Sequence, residues 1–392
     1  MSNAFDVIIA GGGVMGCATA TYLLRAEPAL KVAVIERDPT YARSSTVLSD
    51  GNTRLQFNLK ENIQMSLYGL EVLGRFGDDL AVDGEQPDPG FRQQGNLFLI
   101  DADSETESRE GLALQQALGC DVAWLEPGEI AERFPYANLD GCVGATFGRL
   151  DGTMSPYAVL QAYRRKAAAL GAQFIQAEVG AITHADGRAT GTRLATGEAL
   201  QAGAVLNATG PWAARLAATA GIELPVRPIK RQVFIVDTDL RPETILPAVF
   251  FPSGLYCIHE GEGRFMFGKS YADDPDTEDD FDWDRARFEE RLWPEIVDLM
   301  PRFDRLRIER GWAGLYEVNT LDGNAILGEW PEIKGLYLAN GFSGHGFQQC
   351  HAVGRHLSEL MLGRQPSLDL ARFGPGRILT NTPVFESRRK II

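Results

Sequence analysis

Two glycine-rich stretches hold the residues whose types and spacing can do chemistry. In "GGGVMG", Gly11-x-Gly13-x-x-Gly16 stands between an apolar run and a segment with apolar residues at helical spacing. Such a turn lets the chain reverse at Gly11, brings backbone up to a pyrophosphate at Gly13, and lets helix pack on strand at Gly16. Val14 and Met15 fall at the helix start, where unpaired N–H groups face the phosphates. Glu36 closes the next apolar run 20 residues beyond Gly16, where an acid binds the ribose hydroxyls of an adenine dinucleotide, and Arg37 follows it. Nicotinamide and flavin cofactors share this half of the pattern, so the reactive ring stays open at this point. The second stretch, "NGFSGHGFQQC" from Asn340 to Cys350, packs three glycines and a histidine ahead of another helix-like segment. Bare backbone at a helix N-terminus can donate N–H bonds to negative charge that side chains would otherwise screen.

The elements that must position these residues follow from periodicity. "FDVIIAGGGVMGCATATYLLRA" and "KVAVIERD" read as strand, turn, helix and strand, a βαβ unit. Strand-like runs return in "GCVGATF", "QFIQAEVGAITHADG" and "AVLNATGPW", and "KGLYLANGFSGHGFQQCHAVGRHLSELML" repeats the strand, turn, helix order. From Pro225 to Asn324, alternating runs such as "RQVFIVD", "GLYCIHEG" and "RFMFGKSY" fit antiparallel strands. The expected fold class is α/β plus α+β. A Rossmann-like domain in three pieces (1–72, 141–224, 325–375) interleaves with a largely antiparallel-sheet substrate domain in two (73–140, 225–324). The tail 376–392 is expected to lie extended over the body or partly free, and the acidic "ADDPDTEDDFDWD" (272–284) to be a solvated loop.

Composition bounds what such a chain can do. With 392 residues, 44% hydrophobic and 23% charged, it is read as an ordinary soluble protein of two domains. A net charge of −15 repels phosphate backbones and anionic membranes, which argues against nucleic acid and lipid-surface partners and for small molecules. Cys17, Cys120, Cys142, Cys257 and Cys350 show no short paired spacing, so neither a zinc site nor a secreted disulfide framework is expected. The start "MSNAFDVIIAGGG" lacks a basic leader and its apolar run is broken by glycines. No signal peptide or membrane span is expected, and a cytoplasmic location follows by default.

The ordered set "VIIAGGGVMG", "ERD", "AEVGAI", "NATGPW" and "NGFSGHGF" resembles the D-amino-acid oxidase superfamily of FAD enzymes, in particular its sarcosine oxidase, glycine oxidase and dimethylglycine dehydrogenase branch. The likeness covers nearly the whole chain in order. It implies a Rossmann-like FAD-binding domain with Val179 beside the adenine, and with Ala208, Thr209, Gly210 and Trp212 beneath the cofactor. Ser343, Gly344, Gly346, Phe347 and Gln348 would cradle the pyrimidine end of the flavin ring, where reduction builds negative charge. Ser44, Ser45 and Thr46 would touch pyrophosphate or ribitol, although three hydroxyls in a loop can equally be turn formers.

Flavin-dependent amine oxidation needs a neutral amine nitrogen, a C–H bond over the ring and a low-dielectric pocket, with no metal and often no strong base. An amino-acid substrate also needs a cation for its carboxylate, and the resemblance puts Arg54 there. Tyr256 is implied to face the substrate, unless it is a core tyrosine, and Tyr316 to pass near the flavin. His345 would tune the ring or cap the glycine loop, while His184, His351 and His356 are read as surface or core residues. Gly314 stands where the sarcosine oxidase branch has a cysteine that tethers the flavin, which implies non-covalent FAD. Gln348 replaces a lysine, weakening a second carboxylate grip. Met266 falls where a lysine activates O2. Either Lys269 replaces that lysine, or electrons pass to an acceptor other than O2. Lys230 and Arg231 would recruit a second carboxylate or face solvent.

The expected function is oxidation of the C–N bond of a secondary amine or N-alkyl amino acid by hydride transfer to the flavin, with later hydrolysis of the imine. Two alternatives stand beside it: a D-amino acid dehydrogenase or oxidase, and a flavoprotein acting mainly in binding or assembly of another complex. A nicotinamide dehydrogenase leaves "NGFSGHGF" unexplained.

Overall fold

The computed structural model of the chain describes residues 4–386. The strand β1 (Ala4–Ala10) ends in four buried apolar residues, as a central strand covered on both faces requires. It pairs in parallel with β2 (Val32–Glu36) on one side and with Ala199–Asn207 on the other, and the helix α1 (Val14–Ala26) makes the crossover between β1 and β2. Beyond β2 lies Gln173–Gln176, and beyond Ala199–Asn207 lies Leu336–Asn340, both parallel. Ile326–Glu329 closes one edge antiparallel, and the hairpin Val179–Ala185 and Arg188–Leu194 extends the same sheet. The helix Gly346–Met361 packs on α1 so closely that a Cβ on Gly354 would lie 2.8 Å from Ala18 Cβ.

A second eight-stranded sheet is antiparallel throughout except where Ala248–Phe250 runs parallel to Asn96–Asp101. Its longest pair, Val226–Thr238 with Leu306–Asn319, sets Ile229 opposite Tyr316 and Arg231 opposite Gly314. A phenylalanine-rich core of Phe234, Phe265, Phe267, Phe288 and Phe303 packs against one of its faces. Cys142–Gly148, read from the sequence with the dinucleotide-binding pieces, pairs here instead, between Asn96–Asp101 and Val122–Leu125. A short apolar strand does not encode its partner, and pairing with residues 41 or more positions back decided it.

Two surface segments also depart from expectation. The acidic run 272–284 is clamped rather than merely solvated. Asp273 pairs with Arg291, Asp274 with Arg231 and Arg287, Asp276 with Arg227, Glu278 with Arg215, and Asp280 with Lys230. Lys230 and Arg231 are therefore neutralised by this strap, neither free for a ligand nor facing solvent alone. Residues Gly376–Leu379 of the tail form a helical turn, and Arg377 within it is buried in an ion pair with Asp322. Glu386 accepts N–H bonds from Asn58, Leu59 and Asn62 at the start of the helix Lys60–Leu73. Residues 387–392 of the predicted tail lie outside the described residues. No helix among the described residues is long and apolar enough to cross a membrane.

Candidate functional site

Two adjoining cavities share a wall of Val14, Met15, Ser45, Thr46 and Glu317. The first is built mainly of backbone. A Cβ on Gly11, whose φ is +99°, would lie 2.3 Å from the Ala208 carbonyl oxygen, and one on Gly16 would lie 2.0 Å from the Gly11 carbonyl oxygen. Gly13 meets nothing closer than Thr46 Oγ1 at 3.4 Å, so its backbone stays open to the cavity. It caps α1 without a side-chain bond, and Thr46 Oγ1 accepts from Val14 N at 3.2 Å. The rest of this helix start, next to the N–H that Thr46 already holds, suits a diphosphate.

Glu36 accepts from Gly12 N and Asp38 N, both at 2.8 Å, which fixes its carboxylate at the cavity edge with lone pairs to spare. Arg37 stacks 3.8 Å from the Trp212 ring centroid, and Trp212 donates its indole N–H to the Glu278 carbonyl at 3.0 Å. Val179, Ala208, Thr209, Gly210 and Trp212 line this end. The three hydroxyls divide their work. Ser44 bonds its own turn at Val47 N, Ser45 donates to Leu315 O at 2.7 Å, and Thr46 meets α1; all three also line the cavity.

The second cavity is built of side chains brought from separate strands. Asp50, Arg231, Tyr256, Lys269, Tyr316 and Glu317 line it, over a floor of Gly344, Gly346 and Phe347, with Gly314 at its edge. Gly344 has a φ of +99°, and a Cβ there would lie 2.4 Å from the Tyr316 ring, so the glycine loop is bare because an aromatic ring lies against it. Ser343, also left-handed at φ 50°, accepts from Asn319 N at 3.0 Å and donates its own N–H to Glu317 O at 3.1 Å. The helix Gly346–Met361 starts at His345 with no side-chain cap, leaving its first N–H groups for the cavity.

Of the other predicted residues, Arg54 and Gln348 stand behind this wall, while Lys269 lines it. Arg54 is buried with its guanidinium 4.7 Å from the Phe57 ring centroid and 5.3 Å from that of Phe98, and its Nη2 lies 3.1 Å from His345 Nε2. It forms no ion pair among the described residues. Gln348 Oε1 accepts from Arg54 N at 2.7 Å, clamping the Arg54 segment to the helix rather than reaching toward a ligand. Lys269 Nζ is held by both Glu295 oxygens, at 2.8 and 2.7 Å. His351 is buried against Tyr163 and kept neutral, its pKa lowered to about 4 by burial, and His356 is buried as well.

A sequence model of the FAD dependent oxidoreductase family matches residues 6–360. The chain belongs to that family. It is 35% identical to FAD-dependent oxidoreductase domain-containing protein 1 of Xenopus laevis, over 97% of this chain and 84% of the relative. It is 27% identical to glycine oxidase of Geobacillus kaustophilus, over 95% and 97% of the two chains. Among solved structures, L-proline dehydrogenase from P. horikoshii superposes with a TM-score of 0.86 at 26% identity, covering 97% of this chain and 99% of that one.

The family's cofactor is FAD, and the donor set fits it: an open helix N-terminus for the diphosphate, an oriented carboxylate for a ribose, and a bare-backbone floor for the ring. Two residues of this family member were not marked in the sequence reading. Burial pushes the Glu317 carboxyl up to about 8, only partly offset by the Gly341 N–H at 3.1 Å, so at neutral pH it largely keeps its proton at the junction of the two cavities. Its signal was a charged residue interrupting the apolar "AGLYEVN". Asp50, within "LSDGN", gave none, because an acid next to glycine and asparagine reads as a turn former.

Proposed function

We propose that the protein oxidises the C–N bond of a secondary amine or N-alkyl amino acid. Bound FAD supplies the hydride acceptor. The observation that carries the reading is the second cavity. Its floor is a bare helix N-terminus, its walls carry two tyrosines and two acids, Asp50 and Glu317, that form no ion pair among the described residues, and an arginine in the same position lies close behind. The cation is Arg54, set just behind the cavity wall against the Phe57 and Phe98 rings with no ion pair among the described residues, so its charge favours the carboxylate end of an amino acid at that wall. Tyr256 and Tyr316 exclude water from the carbon that reacts, and burial holds both phenols in their neutral form. The N–H groups of the glycine loop favour negative charge beside them. The relatives named glycine oxidase and L-proline dehydrogenase lend the substrate class support by similarity.

Gly314 offers no nucleophile to the ring, so the cofactor is proposed to be non-covalent. The ion pair that immobilises Lys269 supports an electron acceptor other than O2. The test is anaerobic mixing of the FAD-loaded protein with N-alkyl amino acids, proline-like cyclic amines and D-amino acids. Bleaching of the flavin by an N-substituted substrate, with FAD released by acid and slow recolouring in air, is expected. Bleaching by D-amino acids alone overturns the substrate class. Arg54→Ala should weaken binding of the reducing substrate by about 10-fold, the worth of a nearby charge that acts through the wall and not by direct contact.

A further inference from the structure

The charges around the second cavity do not all cancel. Arg231 and Lys269 each hold a carboxylate partner, Asp274 and Glu295. Asp50 makes no ion pair among the described residues. Its Oδ1 accepts the Asn52 N–H at 3.0 Å, and the Tyr256 phenol hydrogen-bonds the carboxylate. Asp50 also lines an outer groove with Arg92, Glu260, Met266 and Trp312, so it stands in the wall between the inner cavity and that groove.

An alkyl amine in neutral water is an ammonium, and its lone pair must be free before the adjacent C–H can leave as hydride. The site therefore needs a proton acceptor. Tyr256 and Tyr316 cannot serve, because burial raises both phenols, Tyr316 to about 12. Arg231 and Lys269 are cations already paired. Glu317 largely holds its own proton at neutral pH. His345 is engaged with Arg54.

We propose that Asp50 accepts the proton of the substrate ammonium, an inference that rests on the amine-oxidation reading above. The ammonium N–H bond breaks, an O–H bond forms on Asp50, and the electron pair of the N–H bond stays on nitrogen. With FAD bound as the oxidant, the C–H pair would then leave as hydride and the nitrogen lone pair would close the C=N bond. Asp50 finally returns its proton to solvent through the outer groove. Burial lifts the Asp50 pKa above the usual carboxylate range. The Asn52 N–H, Arg54 and Tyr256 oppose that lift, and Glu260, itself paired with Arg92, adds to it. Tyr316, Arg231 and Lys269 face the same space from the neighbouring strands.

The decisive experiment measures anaerobic flavin reduction against pH in the wild type and in Asp50→Asn, which keeps the side-chain shape. The wild-type rate should rise with pH to a plateau as the carboxylate ionises. In the variant the neutral-pH rate should fall about 100-fold, the usual worth of a general base. It should recover only at alkaline pH, where the amine is already neutral. FAD affinity, read by fluorescence titration, should not change, and Asp50→Glu should restore part of the wild-type profile. A wild type that amines reduce, with Asp50→Asn sharing its pH profile, overturns the role of Asp50 alone. A wild type that no amine reduces overturns the amine reading and this proposal together. If Asp50→Asn fails to fold, an Asp50→Glu protein with the wild-type rate and inflection would also overturn it, since a displaced carboxylate must alter both.

Discussion

The two halves of the site are made of different material. The cofactor end is backbone: a glycine turn, an uncapped helix start and one carboxylate pinned by two N–H groups. The substrate end is side chains from a loop and three strands, Asp50, Arg231, Tyr256 and Tyr316, against a single bare floor. Backbone sites tolerate no added atom, because what they meet is other backbone. Side-chain sites tolerate atoms but not changes of charge.

Three substitutions sharpen that contrast. Gly16→Ala should have the largest effect, since its Cβ would sit 2.0 Å from a carbonyl oxygen that cannot move without the turn. A loss of about 4 kcal/mol or more in stability is expected, along with FAD binding, measured by denaturant unfolding and by flavin content. A variant that folds and binds FAD normally would break the claim that backbone builds this end. Gly344→Ala should cost less, about 2–3 kcal/mol, from its positive φ and the Tyr316 ring, which can swing away. Its signature should be slowed flavin reduction with FAD still bound, because the displaced tyrosine belongs to the substrate end.

The smallest effect is electrostatic. Glu317 has a folded pKa of about 8 against an ordinary 4.5, so the folded state holds the proton more tightly. Its contribution to stability is fully present below pH 4.5 and is lost as pH rises through 8. Glu317→Gln should therefore flatten the fall in stability across that window, read from melting temperature against pH. An unchanged slope would show that Glu317 is solvated and not part of the junction.

Much of this was legible without coordinates, and unevenly so. Gly11, Gly13, Gly16 and Glu36 are close in sequence and belong to one βαβ unit, so their spacing already states their geometry. Gly344 was legible as bare backbone, but the Tyr316 ring against which it must be bare was not. The assignment of Cys142–Gly148 to the second sheet, the clamping of the acidic strap onto Lys230 and Arg231, and the retreat of Arg54 behind the cavity wall all depended on partners far away in the chain.

The amino-acid sequence by itself determined the family, the dinucleotide turn, the bare loop and the alternation that makes two kinds of sheet, because each is local and follows from chain geometry over a few residues. Only the tertiary structure decided which charges are spent and which are free. Ion pairing and burial arise when strands from residues 226–238, 256–261 and 306–319 are laid side by side against the loop that carries Asp50. No spacing along the chain encodes that meeting.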